Sequence, residues 1–183
     1  MSVTTAPALS SPLAAIARYL DGLTERAPIG RLREVLDSSA LTLADVREFV
    51  RFEDGAYQRN LVCEGAWHEL LVICWRSGQR SPIHNHKGST CGLVVLDGVC
   101  SETVYDFAPC GGVVPLYTRD CGAGHVCATQ DGDTHQISNL QKPGRDLVTV
   151  HIYSPPLRGM EQFSIMGDGV ARFDPGAKAI ASV

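Results

Sequence analysis

The sequence predicts an all-β fold: an antiparallel β-barrel carrying an N-terminal helical cap. Three observations lead there. After Phe52, short runs rich in Val, Ile, Leu and Trp recur at roughly ten-residue spacing between Gly, Pro, Asp and Ser turns. No helical pattern of about 10–15 residues separates these runs, which disfavours parallel βαβ units. Before Phe52 the apolar period is helical instead.

Three helical stretches are expected in order. In "SPLAAIARYLDGL", Leu13, Ile16, Leu20 and Leu23 recur at three- and four-residue intervals, with Ser11 as cap and Pro12 in the first turn. "IGRLREVLDSS" offers Ile29, Leu32 and Leu36. "LTLADVREFV" opens on Thr42 with Asp45 three residues later, a capping box with Asp in place of Glu. Strands are expected at "LVC", "HELLVICWR", "TCGLVVLDG", "VCSETVYDF", "HVCAT", "HQISN" and "LVTVHIYSP". Residues 1–52 are thus read as a helical segment packed on a barrel of residues 53–183, together one structural unit. The Gly-rich tail after Phe163 is expected to fray or to cover a barrel end.

Composition narrows the function classes. At 183 residues the chain is long enough for one domain with a real core. Its 44% hydrophobic and 20% charged residues are ordinary for a globular protein. A net charge of −4 argues against nucleic acid as partner, since phosphate neutralisation needs basic charge. No apolar run reaches about 18 residues, so no membrane span is expected. The N-terminus lacks the early basic residues and apolar run of a secretory signal, and the protein is read as a cytoplasmic monomer. Seven cysteines without a CxxC pair speak against a disulfide framework or a zinc ribbon, and most are expected to be buried as small hydrophobes.

The chemistry concentrates at "SPIHNHKGSTCGLVVLDG". His84 and His86 are two residues apart, and on a strand such side chains share a face, where two imidazoles can share a metal. Imidazole suits Fe, Cu, Zn or Ni better than Mg or Ca. Cys91 follows five residues on, and its thiol is compatible with metal ligation, redox regulation, covalent chemistry or plain burial. His135, taken alone, reads as a hydrogen-bonded loop histidine; His68 and His125 read as structural.

Extended outwards, the spacing is Gly78, five residues, His84-Asn85-His86, four residues, Cys91, six residues, Gly98. This resembles the first motif of the cupin superfamily, with Cys91 where a glutamate is usual. Gly124, Gln130-Asp131-Gly132, His135 and Asn139 resemble the second motif, with Gln130 in place of its proline. The resemblance implies a jelly-roll-like cupin barrel with a metal on His84, His86 and His135. Losing the glutamate leaves three neutral ligands and a site of full 2+ charge, which favours anionic ligands such as thiolates.

Tyr57, Arg59 and Asn60 in "AYQRNLV", and Thr149, His151 and Tyr153 at alternate positions of "TVHIYSPPL", narrow the likeness. With Cys91 in the glutamate slot, the stretch from Tyr57 to Phe163 resembles the cysteine dioxygenase family of thiol dioxygenases. That resemblance implies Fe(II) on the three histidines and a small-molecule thiol and O₂ as partners. It implies conversion of L-cysteine to cysteine sulfinate, with no organic cofactor. Arg59 matches the residue that pairs with the substrate carboxylate, and Tyr57 lies beside it. His151 and Tyr153 match a pair in which His orients the Tyr hydroxyl, and Thr149 stands where the family often has Ser. Cys91 and Tyr153 match a pair joined by a thioether in part of the family.

The chain also departs from the pattern. Thr90 replaces a histidine and Met160 a cysteine of the mammalian-type members, which bears on pocket shape and strict cysteine specificity. The subgroup that oxidises 3-mercaptopropionate usually has Gln at the Arg59 position and lacks the YSPP run, so this chain resembles the cysteine-oxidising subgroup more closely. Mercaptosuccinate is another carboxylate-bearing thiol that Arg59 would hold. The rival readings are a different cupin enzyme, from which Cys91 departs, and a non-enzymatic metal- or thiol-binding cupin. Oxidation of protein N-terminal cysteines would leave Arg59 without a free carboxylate to bind.

Overall fold

The computed structural model describes residues 9–109 and 111–165, and the backbone of 171–173. Two α-helices come first, α1 (Ser11–Asp21) and α2 (Ile29–Ser39), followed by a 3-10 helix (Leu43–Phe49). Nine strands follow among the described residues: β1 (Gln58–Gly65), β2 (His68–Trp75), β3 (Ile83–Asp97), β4 (Val99–Phe107), β5 (Val113–Gly122), β6 (Val126–Ser138), β7 (Leu147–Ser154), β8 (Met160–Phe163) and β9 (Ala171–Phe173). They pair antiparallel in the order β1-β2-β7-β3-β6-β4-β5, with β8 on β3 and β9 on β8. The all-β barrel expectation therefore holds. The tail beyond Ile165, apart from the β9 backbone, lies outside the described residues.

Several local expectations change. Helix α1 starts at Ser11 itself; Ser10 occupies the cap position and makes no capping bond. Pro12 at N2 removes one of the two first-turn N–H groups that a cap side chain can reach. The Thr42–Asp45 capping box is present, with the Thr42 N–H donating to Asp45 Oδ2 at 2.9 Å. The element it opens is 3-10 rather than α: buried Val46 and Phe49, three apart, stack on one face of the tighter turn. "HVCAT" and "HQISN" are one strand, β6. The polar "QDGD" between them resembles a turn, yet the chain continues through Asp131 at φ 62°, where its register with β3 shifts. Strand β5 was not anticipated, because an edge strand exposed over seven consecutive residues shows no alternation.

Period-2 alternation sorts the strands into two cores. Outward-facing Leu70, Val72, Cys74, Val94, Val148, Val150 and Ile152 meet Leu13, Ile16, Leu20, Leu32 and Leu36 of the helices. Inward-facing Leu71, Ile73, Trp75, Leu93, Val95 and Ile137 fill the barrel with Cys91 and Tyr153. The helices thus cover the flank of the barrel, and β7 is buried at every residue because both its faces are occupied. Burying each such aliphatic side chain stabilises the fold by about 1.5–3 kcal/mol. Helix α2 approaches β3 closely at Gly92: a Cβ there would lie 2.6 Å from the Leu36 side chain.

Polar bonds fix the α1–α2 connection to the rim. Arg26 donates to Thr90 Oγ1 (3.0 Å) and pairs with Asp131 (2.9 Å). Thr90 donates onward to the Ala27 carbonyl, and the Ala27 N–H donates to Ser154 Oγ. Thr90, the departure from the mammalian-type pattern, is therefore the seat of the linker. No helix among the described residues is long and apolar enough to cross a membrane.

Candidate active site

Strands β3 and β6 bring three histidines together. His84 and His86 share one face of β3, and antiparallel register sets His135 opposite His84. Their ring centroids form a near-equilateral triangle of 4.9, 4.8 and 4.9 Å, and one nitrogen from each lies within 4.8 Å of the others. All three are buried.

Their partners determine which nitrogen faces inwards. Each Nδ1 meets a pure acceptor: the Pro82 carbonyl for His84 (2.9 Å), Asp133 Oδ2 for His86 (3.0 Å) and Glu102 Oε1 for His135 (2.7 Å). Each Nδ1 therefore carries the proton, and each Nε2 presents a lone pair. His135 Nε2 is buried without a partner. An orphaned buried acceptor among two others is costly unless a metal takes all three, so the residues fit a metal ion. Burial, reinforced by the neighbouring rings, holds His84 well below its usual range; burial also lowers His86, with Asp133 opposing. Both are thus in the neutral form that ligation requires. Burial raises Glu102 and Asp133, but the bonds from His135 and Arg119, and from His86, outweigh it and keep both carboxyls below their ordinary values. Arg119 donates to Glu102 at 2.6 Å.

The second group lies on β7 and β2. Trp75 Nε1–H donates to Thr149 Oγ1 (3.0 Å), and Thr149 donates to the Ile73 carbonyl (3.3 Å). The remaining lone pair of Thr149 receives His151 Nε2–H (3.0 Å). His151 Nδ1 is then bare and accepts the Tyr153 hydroxyl at 3.2 Å. Burial pushes His151 well down and Tyr153 well up, so both are neutral. The Tyr153 ring lies 5.4 Å from that of His86. Cys91 is directly opposite Tyr153 in the β3–β7 register, and burial pushes its thiol well above the usual range. The six described cysteines are free; Cys110 lies outside the described residues.

Arg59 and Tyr57 complete the wall of the cavity that the three histidines, Cys91 and Tyr153 line. Tyr57 stacks on Trp75 at 4.4 Å, and the Arg59 guanidinium lies 5.6 Å over the Tyr153 ring. Arg59 is also paired: its Nη2 donates to Glu69 Oε1 at 3.2 Å. All nine residues anticipated for the site therefore surround or directly support one cavity. Sequence reasoning missed Glu102, Asp133, Arg119, Trp75 and Glu69, which orient that set. Period-2 counting along β2 from Leu71, Ile73 and Trp75 would have placed Glu69 inwards; Glu102 carries no comparable signal, since only the fold brings β4 against His135.

The fold resembles that of a Klebsiella pneumoniae protein with a double-stranded β-helix domain (TM-score 0.55, 19% identity, 65% of this chain and 88% of that one). A Thermus thermophilus protein is also similar (TM-score 0.51, 16% identity, 61% and 94%). Cysteine dioxygenase type 1 of Danio rerio is 28% identical over 140 residues, 74% of this chain and 69% of its own length. The Rattus norvegicus protein of that name is 27% identical over 132 residues, 70% and 66%. The family pattern described as cysteine dioxygenase type I matches residues 4–166, nearly the whole chain. The chain therefore belongs to the cysteine dioxygenase type I family.

Proposed function

We propose that this chain is an iron-dependent thiol dioxygenase that converts L-cysteine and O₂ to cysteine sulfinate. One observation carries the reading: a three-histidine cluster shares a cavity with an arginine and an oriented tyrosine hydroxyl. His84, His86 and His135 would hold Fe(II) through Nε2. The bound ion would lower the pKa of a substrate thiol and allow sulfur and O₂ to react.

The chain's own residues bind and orient. Arg59 offers a planar fork to the substrate carboxylate, and Tyr57 stands beside it on the Trp75 ring. His151, fixed by Thr149, holds the Tyr153 hydroxyl hydrogen, which turns the oxygen lone pairs of Tyr153 towards the cavity. Apolar Ile73, Leu93 and Ile137 keep water from the reacting sulfur. The reaction balances without an organic cofactor: sulfur loses the four electrons that reduce O₂, and both oxygen atoms end on sulfur. The placement of Cys91 opposite Tyr153 supports a thioether between them.

The test combines metal analysis with oxygen uptake. Iron-loaded protein should consume O₂ with L-cysteine, and His86→Ala should lose both iron and turnover. Stoichiometric iron retained by His86→Ala would overturn the ligand assignment; turnover with another thiol but none with cysteine would overturn the substrate.

A further inference from the structure

Among the described residues Arg59 is the one Lys or Arg that lines the cavity, and Glu69 stands behind it, outside the lining. Glu69 Oε1 accepts two N–H groups at once: Arg59 Nη2 at 3.2 Å and the Leu157 backbone N–H at 3.1 Å. Glu69 is also the cross-strand neighbour of Tyr153. Both partners of the ion pair are largely enclosed, with side-chain exposures of 17% and 12%, so solvent screens the pair little.

Three cations outside the cavity are paired with carboxylates in the same way. Met160 lines both the cavity and an outer cleft that contains Lys87, and a second cleft contains Lys87 and Arg158. Lys87 pairs with Glu161, Arg158 with Glu64, and Arg26 with Asp131. The other titratable groups on the cavity wall are histidines, cysteines and tyrosines.

A substrate carboxylate therefore meets a guanidinium whose charge is already half-answered. One carboxylate can still take the free edge of the fork. A second finds no further Lys or Arg among the described residues that line the cavity, and it approaches the negative charge of Glu69 behind Arg59. We propose that Glu69 is a specificity-determining residue that restricts the Arg59 clamp to thiols bearing a single carboxylate and rejects dicarboxylate thiols. This rests on the thiol-binding reading above and deepens it.

The test compares 3-mercaptopropionate with mercaptosuccinate, titrated anaerobically into iron-loaded protein and followed by its absorption spectrum. The parent should bind the monocarboxylate at least about tenfold more tightly. Glu69→Gln keeps the shape and the acceptor for Arg59 and Leu157 but removes the charge. It should shift that ratio at least about tenfold towards mercaptosuccinate, and in turnover the change should fall on KM rather than kcat. The monoamide of mercaptosuccinate is the size control. Binding to the parent like 3-mercaptopropionate assigns the discrimination to charge; binding as weakly as mercaptosuccinate assigns it to size and overturns the proposal. A parent that binds both acids equally overturns it without recourse to a variant, as does an unchanged ratio in Glu69→Gln. Selective binding without oxygen uptake would refute the dioxygenase reading and bear out the role of Glu69.

Discussion

Replacing Thr149 by Val tests the orienting network most cleanly. The two side chains have nearly the same shape, so the change removes a hydroxyl and little packing. Thr149 is fully buried, and its partners Trp75 and His151 are 1% and 4% exposed, so water cannot replace what is lost. Two N–H groups, Trp75 Nε1–H and His151 Nε2–H, lose their acceptor. Each buried unsatisfied group costs about 1–3 kcal/mol, which sums to roughly 2–6 kcal/mol. That is a large share of the about 5–15 kcal/mol typical of a folded domain. The assay is urea denaturation of the metal-free protein followed by tryptophan fluorescence. Thr149→Ser is the control: it keeps the hydroxyl, loses one methyl and should cost only about 0.5–1.5 kcal/mol. With L-cysteine, Val should depress kcat while Ser preserves it, because Tyr153 loses its orientation only in the former. If Val proves no less stable than Ser, the Trp75–Thr149–His151 chain is not the structural element described.

Three further outcomes follow from the site. Glu102→Gln weakens the hold on the His135 Nδ1–H and should lower metal affinity about 10–100-fold, measured by competition with a chelator; unchanged affinity would show that Glu102 does not orient the ligand. Burial holds His84 and His151 well below the usual value near 6.5, so the unfolded chain takes up protons that the folded chain refuses. Stability of the metal-free protein is therefore full above pH of about 6.5 and falls below it by up to about 1.4 kcal/mol per pH unit for each histidine. Urea midpoints that stay flat between neutrality and about pH 5.5 would contradict those shifts. If the thioether forms, intact mass after aerobic turnover should fall by two hydrogens in the parent and not in Cys91→Ala; a loss in both would exclude this pair.

Much of the site was legible because strand geometry is strict. Residues two apart share a face, so His84 with His86, and Thr149, His151 and Tyr153 as a set, could be read as single-faced groups. Their convergence could not be read from periodicity, since the approach of β6 to β3 and of β7 to β3 is a matter of topology. Family spacing supplied that link. The residues that escaped notice are those whose role depends on long-range pairing. Glu102 touches His135 only because β4 lies beside β6, and Glu69 touches Arg59 only because β2 lies beside β1. Edge strand β5 escaped for the opposite reason: its largely exposed side chains leave no pattern to find.

The central claim is that both atoms of O₂ are transferred to a thiol held in this cavity. Turnover of the iron-loaded protein with L-cysteine under ¹⁸O₂ tests it directly. One O₂ consumed for each sulfinate formed, with both sulfinate oxygens labelled, is the predicted result. Oxygen uptake that yields cystine or unlabelled sulfinate, or none at all from iron-replete protein, would contradict it.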